Sequence, residues 1–123
     1  MITALVVDDN RQFADSFCEM LRYFDLEAEA VYGALTALQR IKILVPSVVF
    51  LDINMPGLNG LEVFSYFNRE PYLANTVVYI VSSETDPDLI RQAMALGAKG
   101  YLTKPVSLDE VEKALRDADL TYD

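Results

Sequence analysis

The sequence predicts an α/β fold, a five-stranded parallel sheet with helices on both faces, and three observations carry that prediction. Strand-like apolar runs and stretches of helical periodicity alternate along the whole chain. The count is five strands and five helices, so a helical crossover separates successive strands, as parallel pairing requires. The three longest apolar runs, Ala4–Val7, Val48–Leu51 and Val77–Val81, are continuous rather than alternating, which is the pattern of central strands covered on both faces.

The elements follow in order. After the first run, Asn10 is placed to cap a helix whose apolar face is Phe13, Phe17, Met20, Leu21 and Phe24. Ala28–Tyr32 alternates apolar and polar, which suits an edge strand, and Gly33 ends it. Leu35, Leu38 and Ile41 mark a second helix, and Pro46 breaks the chain before the third strand. Met55-Pro56-Gly57-Leu58-Asn59-Gly60 is dense in turn formers. Leu61, Phe64 and Phe67 give a third helix, ended by Pro71. Asp86 as N-cap, Pro87 at the first helical position and Gly97 just past the end bracket a fourth helix. The fifth strand spans Gly100–Thr103. The last helix opens with a capping box of Ser107 and Glu110, stapled by Val106 and Val111. The tail from Asp117 to Asp123 is short, and its end is expected to fray.

The bulk numbers narrow the function. A length of 123 residues, 52% hydrophobic and 24% charged, fits one compact domain over 1–123 and argues against global disorder. No apolar stretch approaches the ~20 residues that span a bilayer, and the start has no basic signal-peptide region, so no membrane association and a cytoplasmic location are expected. The formal net charge of −9 argues against direct nucleic-acid binding, which needs clustered Lys and Arg. Cys18 is the only cysteine and there is no histidine, so an intrachain disulfide, a histidine base and an imidazole metal ligand are excluded.

The candidate site comes from where the strands stop. The runs end at Asp8-Asp9, Asp52, Ser82 and Lys104-Pro105. The carboxyl ends of parallel strands meet at one edge, where ligands of open α/β folds collect. Asp8, Asp9 and Asp52 would repel one another there, and a divalent cation relieves the repulsion. Mg²⁺ takes carboxylate oxygens and is usually shared with phosphate. An aspartate can form an acyl phosphate. Lys104 would supply a cation and Ser82 a hydroxyl donor for phosphoryl oxygens.

These residues, with the Met55-Pro56-Gly57 turn and Gly60, resemble the receiver domain of two-component response regulators, closest in pattern to the chemotaxis receivers, over essentially the whole chain. The resemblance implies the strand order 2-1-3-4-5 of a flavodoxin-like doubly wound sheet. It implies Asp52 as phosphoacceptor, and Mg²⁺ (with Mn²⁺ as a substitute) held by Asp9, Asp52 and the Asn54 backbone carbonyl, with Asp8 acting through water. Lys104 would pair with the phosphoryl group, Ser82 would follow it, and Tyr101 would swing inward with Ser82. A cis Lys104-Pro105 bond is implied as well, and Asn54 and Glu84 occupy the positions that tune the lifetime of the phosphorylated state. The domain would catalyse its own phosphorylation and dephosphorylation rather than act as a separate enzyme. The implied partners are a histidine kinase or phosphotransfer protein and a protein effector or attached output domain, read through the fourth helix, fifth strand and fifth helix. No output domain follows Leu115, so a free-standing receiver, a relay intermediate and a piece of a longer regulator all remain open.

Two other readings compete. A phosphatase of the haloacid dehalogenase type also uses an Asp nucleophile, a hydroxyl and a lysine, but its nucleophile lies in an Asp-x-Asp pattern after the first strand, where this chain has Val7-Asp8-Asp9-Asn10. A binding module that is never phosphorylated needs none of the acidic and basic residues that are all present.

Overall fold

The computed structural model describes residues 1–121. Its five strands are β1 (Thr3–Val7), β2 (Glu27–Val31), β3 (Val48–Leu51), β4 (Val77–Ser82) and β5 (Gly100–Thr103). They form one sheet in the order β2-β1-β3-β4-β5 with every pair parallel, as the resemblance implied. Between and after them lie α1 (Arg11–Tyr23), α2 (Ala34–Arg40), α3 (Gly60–Phe67), α4 (Pro87–Ala95) and α5 (Leu108–Asp117).

The strand period of two sorts the core into two layers. Leu5, Val7, Val49, Leu51, Val78 and Ile80 face α2, α3 and α4 through Ala37, Ile41, Phe64, Phe67 and Ala93. Ala4, Val6, Val48, Phe50, Tyr79 and Val81 face α1 and α5 through Phe17, Cys18, Leu21, Val111 and Leu115. On that second face Phe17 meets Phe50 at 4.9 Å and Phe50 stacks on Tyr79 at 5.7 Å. The Tyr79 hydroxyl donates to the Ala114 carbonyl at 2.7 Å, so burying its oxygen costs nothing unpaired and α5 is tied to β4.

Helix ends follow local chemistry. Asn10, Asn59, Asp86 and Ser107 each accept a backbone N–H at the start of a helix. The capping box of Ser107 and Glu110 forms in full. Gly97 has φ +106°, the left-handed conformation in which a side chain is strained, and closes α4. The Asn59 cap is absent from the sequence reading, which placed that residue in a turn.

Several expectations shift. The edge strand begins at Glu27 rather than Ala28, and stops before Tyr32. Leu35 does not face the core: it is 71% exposed, because the buried face of α2 runs through Ala34, Ala37 and Ile41. Pro71 does not simply end α3. The helix closes at Phe67, and Pro71 opens a short 3₁₀ turn, Pro71–Leu73, that buries Leu73. Cys18 is buried, and burial pushes its thiol up to about 11, which makes it an inert packing residue. The end of the tail, Tyr122 and Asp123, lies outside the described residues.

Candidate functional site

Asp8, Asp52 and Lys104 sit one step past the last rung of the sheet, and Ser82 is the last residue of β4. The Asp8 N–H donates to the Val31 carbonyl at 3.1 Å, the Asp52 N–H to Val7 at 3.0 Å, and the Lys104 N–H to Ser82 at 3.0 Å. The backbone of each residue is therefore held by the ladder while its side chain leaves the edge. Apolar strand interiors fix the position, and the polar residue is delivered where each strand ends.

Asp8 and Asp52 are 1% and 5% exposed, whereas Asp9 is exposed. One carboxylate oxygen from each of Asp8, Asp9 and Asp52 falls within 4.8 Å of the others. The Lys104 ammonium lies 2.7 Å from Asp8 Oδ2 and 3.5 Å from Asp52 Oδ2. Asp8 Oδ1 accepts the Asn10 N–H at 2.9 Å, and Asp52 Oδ1 accepts the Asn54 N–H at 3.2 Å. Burial, followed by the Asp8 charge, pushes the Asp52 carboxyl above the usual carboxylate range, while Lys104, the Ser82 hydroxyl and the Asn54 N–H act against that rise. Two buried carboxylates and an exposed third, short of positive charge, make a donor set suited to a hard cation. The cluster can bind a metal ion.

Gly60 is what lets α3 come in behind this cluster. A Cβ at that position would sit 2.1 Å from the Asp52 carbonyl oxygen, and the Gly60 N–H donates to the Ile53 carbonyl at 2.8 Å. Only glycine permits that approach.

The other half of the edge is built differently. Ser82 is fully buried, and its Oγ accepts the Glu84 N–H at 3.1 Å. The Tyr101 hydroxyl donates to the Glu84 carbonyl at 2.5 Å. Glu84 Oε1 accepts the N–H groups of Thr85 and Asp86 at 3.1 and 3.0 Å. Glu84 is thus held at three points and joins Ser82 to Tyr101. Burial raises the Tyr101 phenol above its ordinary range, so it stays a donor.

Phe13, on the apolar face of α1, is only half-buried. Its ring lies under the Lys104 ammonium, 4.2 Å from ring centroid to nitrogen. The signal in the sequence was its place in the first turn of α1, four residues after Asp9, but no periodicity argument links it to Lys104. The Lys104–Pro105 peptide is cis.

The response regulator receiver domain family profile matches residues 4–116. The chain belongs to that family. It is a receiver domain of the two-component response regulators. It is 35% identical over 121 residues to the response regulator GacA of Pseudomonas aeruginosa, covering 94% of this chain and 54% of that protein. It is 33% identical over 116 residues to the transcriptional regulatory protein MctR of Rhizobium johnstonii, covering 93% and 53%. This receiver thus spans about half the length of those curated relatives. Among solved structures, chemotaxis protein CheY4 of Vibrio cholerae superposes with a TM-score of 0.89 at 25% identity, covering 96% of this chain and 98% of that one. A CheY-like receiver domain from Methylobacillus flagellatus gives 0.87 at 27% identity, covering 96% and 98%. Among the described residues, no helix of this receiver is long and apolar enough to cross a membrane.

Proposed function

We propose that residues 1–123 form one receiver that accepts a phosphoryl group on Asp52 from a phosphorylated histidine of a kinase or phosphotransfer protein. The observation that carries this is the buried Asp52 carboxylate beside buried Asp8, with the Lys104 ammonium in contact with both. A carboxylate oxygen of Asp52 forms the new bond to phosphorus as the phosphorus–nitrogen bond of the donor breaks, and the imidazole leaves with that electron pair. The Asp52 backbone is pinned by the ladder and its Oδ1 by the Asn54 N–H, so the nucleophile is held for in-line attack.

Asp9, Asp52 and the Asn54 carbonyl would hold Mg²⁺ or Mn²⁺, with Asp8 acting through water. When bound, the ion would offset negative charge on the phosphoryl oxygens. Lys104 leaves its carboxylate partners to pair with a phosphoryl oxygen. The Ser82 hydroxyl turns to donate to another. Because Ser82 also receives the Glu84 N–H, and Glu84 receives Tyr101, that turn loosens the loop before α4 and the aromatic of β5. The changed surface is that of α4, β5 and α5, read by a protein effector or an attached output domain. Asn54 and Glu84, two residues past Asp52 and Ser82, set how readily water reaches the acyl phosphate. The expected compartment is the cytoplasm, where such donors act.

Incubation with acetyl phosphate and Mg²⁺ followed by peptide mapping tests the assignment. The added phosphoryl group should be acid-stable, base-labile and confined to the peptide bearing Asp52. A label on any other residue contradicts it. Lys104→Ala should still accept some phosphoryl group yet fail to change partner binding, and normal switching by phosphorylated Lys104→Ala would remove the signalling role from that lysine.

A further inference from the structure

The Lys104 ammonium has three close neighbours: Asp8 Oδ2 at 2.7 Å, Asp52 Oδ2 at 3.5 Å and the Phe13 ring centroid at 4.2 Å. Two of the three are carboxylates assigned above to a cation and to the phosphoryl group. Only the aromatic ring keeps the same chemistry in every state of the site. A cation over a ring face is attracted by the ring quadrupole, and the attraction is strongest where water is kept away. The Lys104 side chain is only 19% exposed.

The ring is itself braced. Asn10 Oδ1 accepts the Phe13 N–H at 3.0 Å, which fixes the first turn of α1. The Phe13 ring meets Phe17 at 5.8 Å, and Phe17 is fully buried against Phe50. The platform under Lys104 is therefore anchored to β3, the strand that also presents Asp52.

We propose that Phe13 is a positioning residue, whose ring face holds the Lys104 amine over the pocket when Asp8 and Asp52 turn to the cation and the phosphoryl group. The proposal rests on the phosphoacceptor reading above. A carboxylate alone could not do this, because it would compete with the phosphoryl oxygens for the amine. The ring attracts the cation without directional hydrogen bonds and leaves all three N–H donors free.

The test uses the whole chain with acetyl phosphate at saturating Mg²⁺, following Asp52 phosphorylation by intact mass. Phe13→Leu keeps an apolar side chain and loses the quadrupole, and should slow phosphorylation roughly threefold to thirtyfold. Phe13→Tyr keeps the ring face and should restore the rate. In a Lys104→Ala background, Phe13→Leu should change nothing further, because the residue it acts through is gone. Equal rates for the Leu and Tyr variants, or a loss that persists without Lys104, would overturn the proposal and leave Phe13 a packing residue.

A second readout does not depend on phosphorylation. The Cε protons of Lys104 should carry an upfield ring-current shift in NMR spectra, abolished by Phe13→Leu and retained when Mg²⁺ and beryllofluoride, a phosphoryl mimic, are added. Loss of that shift on adding them would also sink the idea. A wild-type chain that takes no phosphoryl group at all, with the shift intact, would instead count against the phosphoacceptor reading alone.

Discussion

The strand ends of β1 and β3 and those of β4 and β5 share one edge of one sheet, yet they are held in opposite ways. At the first pair, Asp8 and Asp52 are buried like charges with a single ammonium between them, and the Asp52 carboxyl is pushed above its ordinary range by burial and by Asp8. At the second pair, Ser82, Glu84 and Tyr101 are linked by hydrogen bonds through a loop. The acidic half is electrostatically unfavourable and mechanically fixed. The loop half is satisfied, and can rearrange at the cost of a few ordinary hydrogen bonds, each worth about 0.5–1.5 kcal/mol. A site that binds charge and then reports it needs both kinds of region.

The largest break in that comparison should come at Gly60. In Gly60→Ala, the new methyl meets backbone atoms of Asp52 and Ile53 rather than a flexible side chain. The loss should reach about 3 kcal/mol, at the upper end of overpacking costs, and chemical denaturation should read it. Metal affinity should fall with it, since Asp52 must shift. A variant of full stability and unchanged Mg²⁺ affinity would show that α3 does not fix the acidic half.

Asp52→Asn should act in the opposite direction. It removes one of two buried like charges, so the metal-free chain should gain about 1 kcal/mol at neutral pH. Because the folded chain holds the Asp52 proton more tightly than the unfolded chain, ionisation of Asp52 lowers stability as pH rises from the ordinary carboxylate range through the raised folded value. The gain from the Asn variant should therefore be full above that window and vanish below it. Thermal melts across pH would read this, and an Asn variant less stable at every pH would mean that Lys104 and the backbone donors outweigh the repulsion.

Tyr101→Phe sharpens the loop half. Losing the bond to the Glu84 carbonyl should cost about 1 kcal/mol and raise amide hydrogen exchange in residues 84–86, with Mg²⁺ affinity unchanged. A change in Mg²⁺ affinity would mean that the two halves are not separable in the resting state. The smallest effect is expected from Glu84→Ala, which frees the Thr85 and Asp86 N–H groups at the surface and should cost about 0.5 kcal/mol. Faster exchange confined to the start of α4 would confirm the loop contact, and exchange unchanged from wild type would deny it.

How legible the two halves were in the sequence differs for the same physical reason. Strand ends are marked by where apolar runs stop, so Asp8, Asp9, Asp52, Ser82 and Lys104 were visible at once, and the structure brings them to one edge. The parallel sheet and both layers of its core followed from unbroken runs and helical spacing. Contacts made through loops leave no period. Glu84 carries no sequence signal of its loop contacts, because its four hydrogen bonds depend on the path of the chain between β4 and α4. Phe13 carries the same helical spacing as Phe17, while its ring reaches a lysine that is distant in the chain but adjacent in the fold. Leu35 misled for the opposite reason: a short helix with small buried residues, Ala34 and Ala37, has too weak an apolar stripe to fix its phase.

The account turns on Asp52 as the point where both halves meet. Intact-mass spectrometry of the wild-type chain and Asp52→Asn, each incubated with acetyl phosphate in the presence and absence of Mg²⁺, tests it most directly. The wild type should gain the mass of one phosphoryl group when Mg²⁺ is present and far less without it, and Asp52→Asn should gain none. A phosphoryl group retained by Asp52→Asn, or a wild-type chain unmodified under all conditions, would contradict the account.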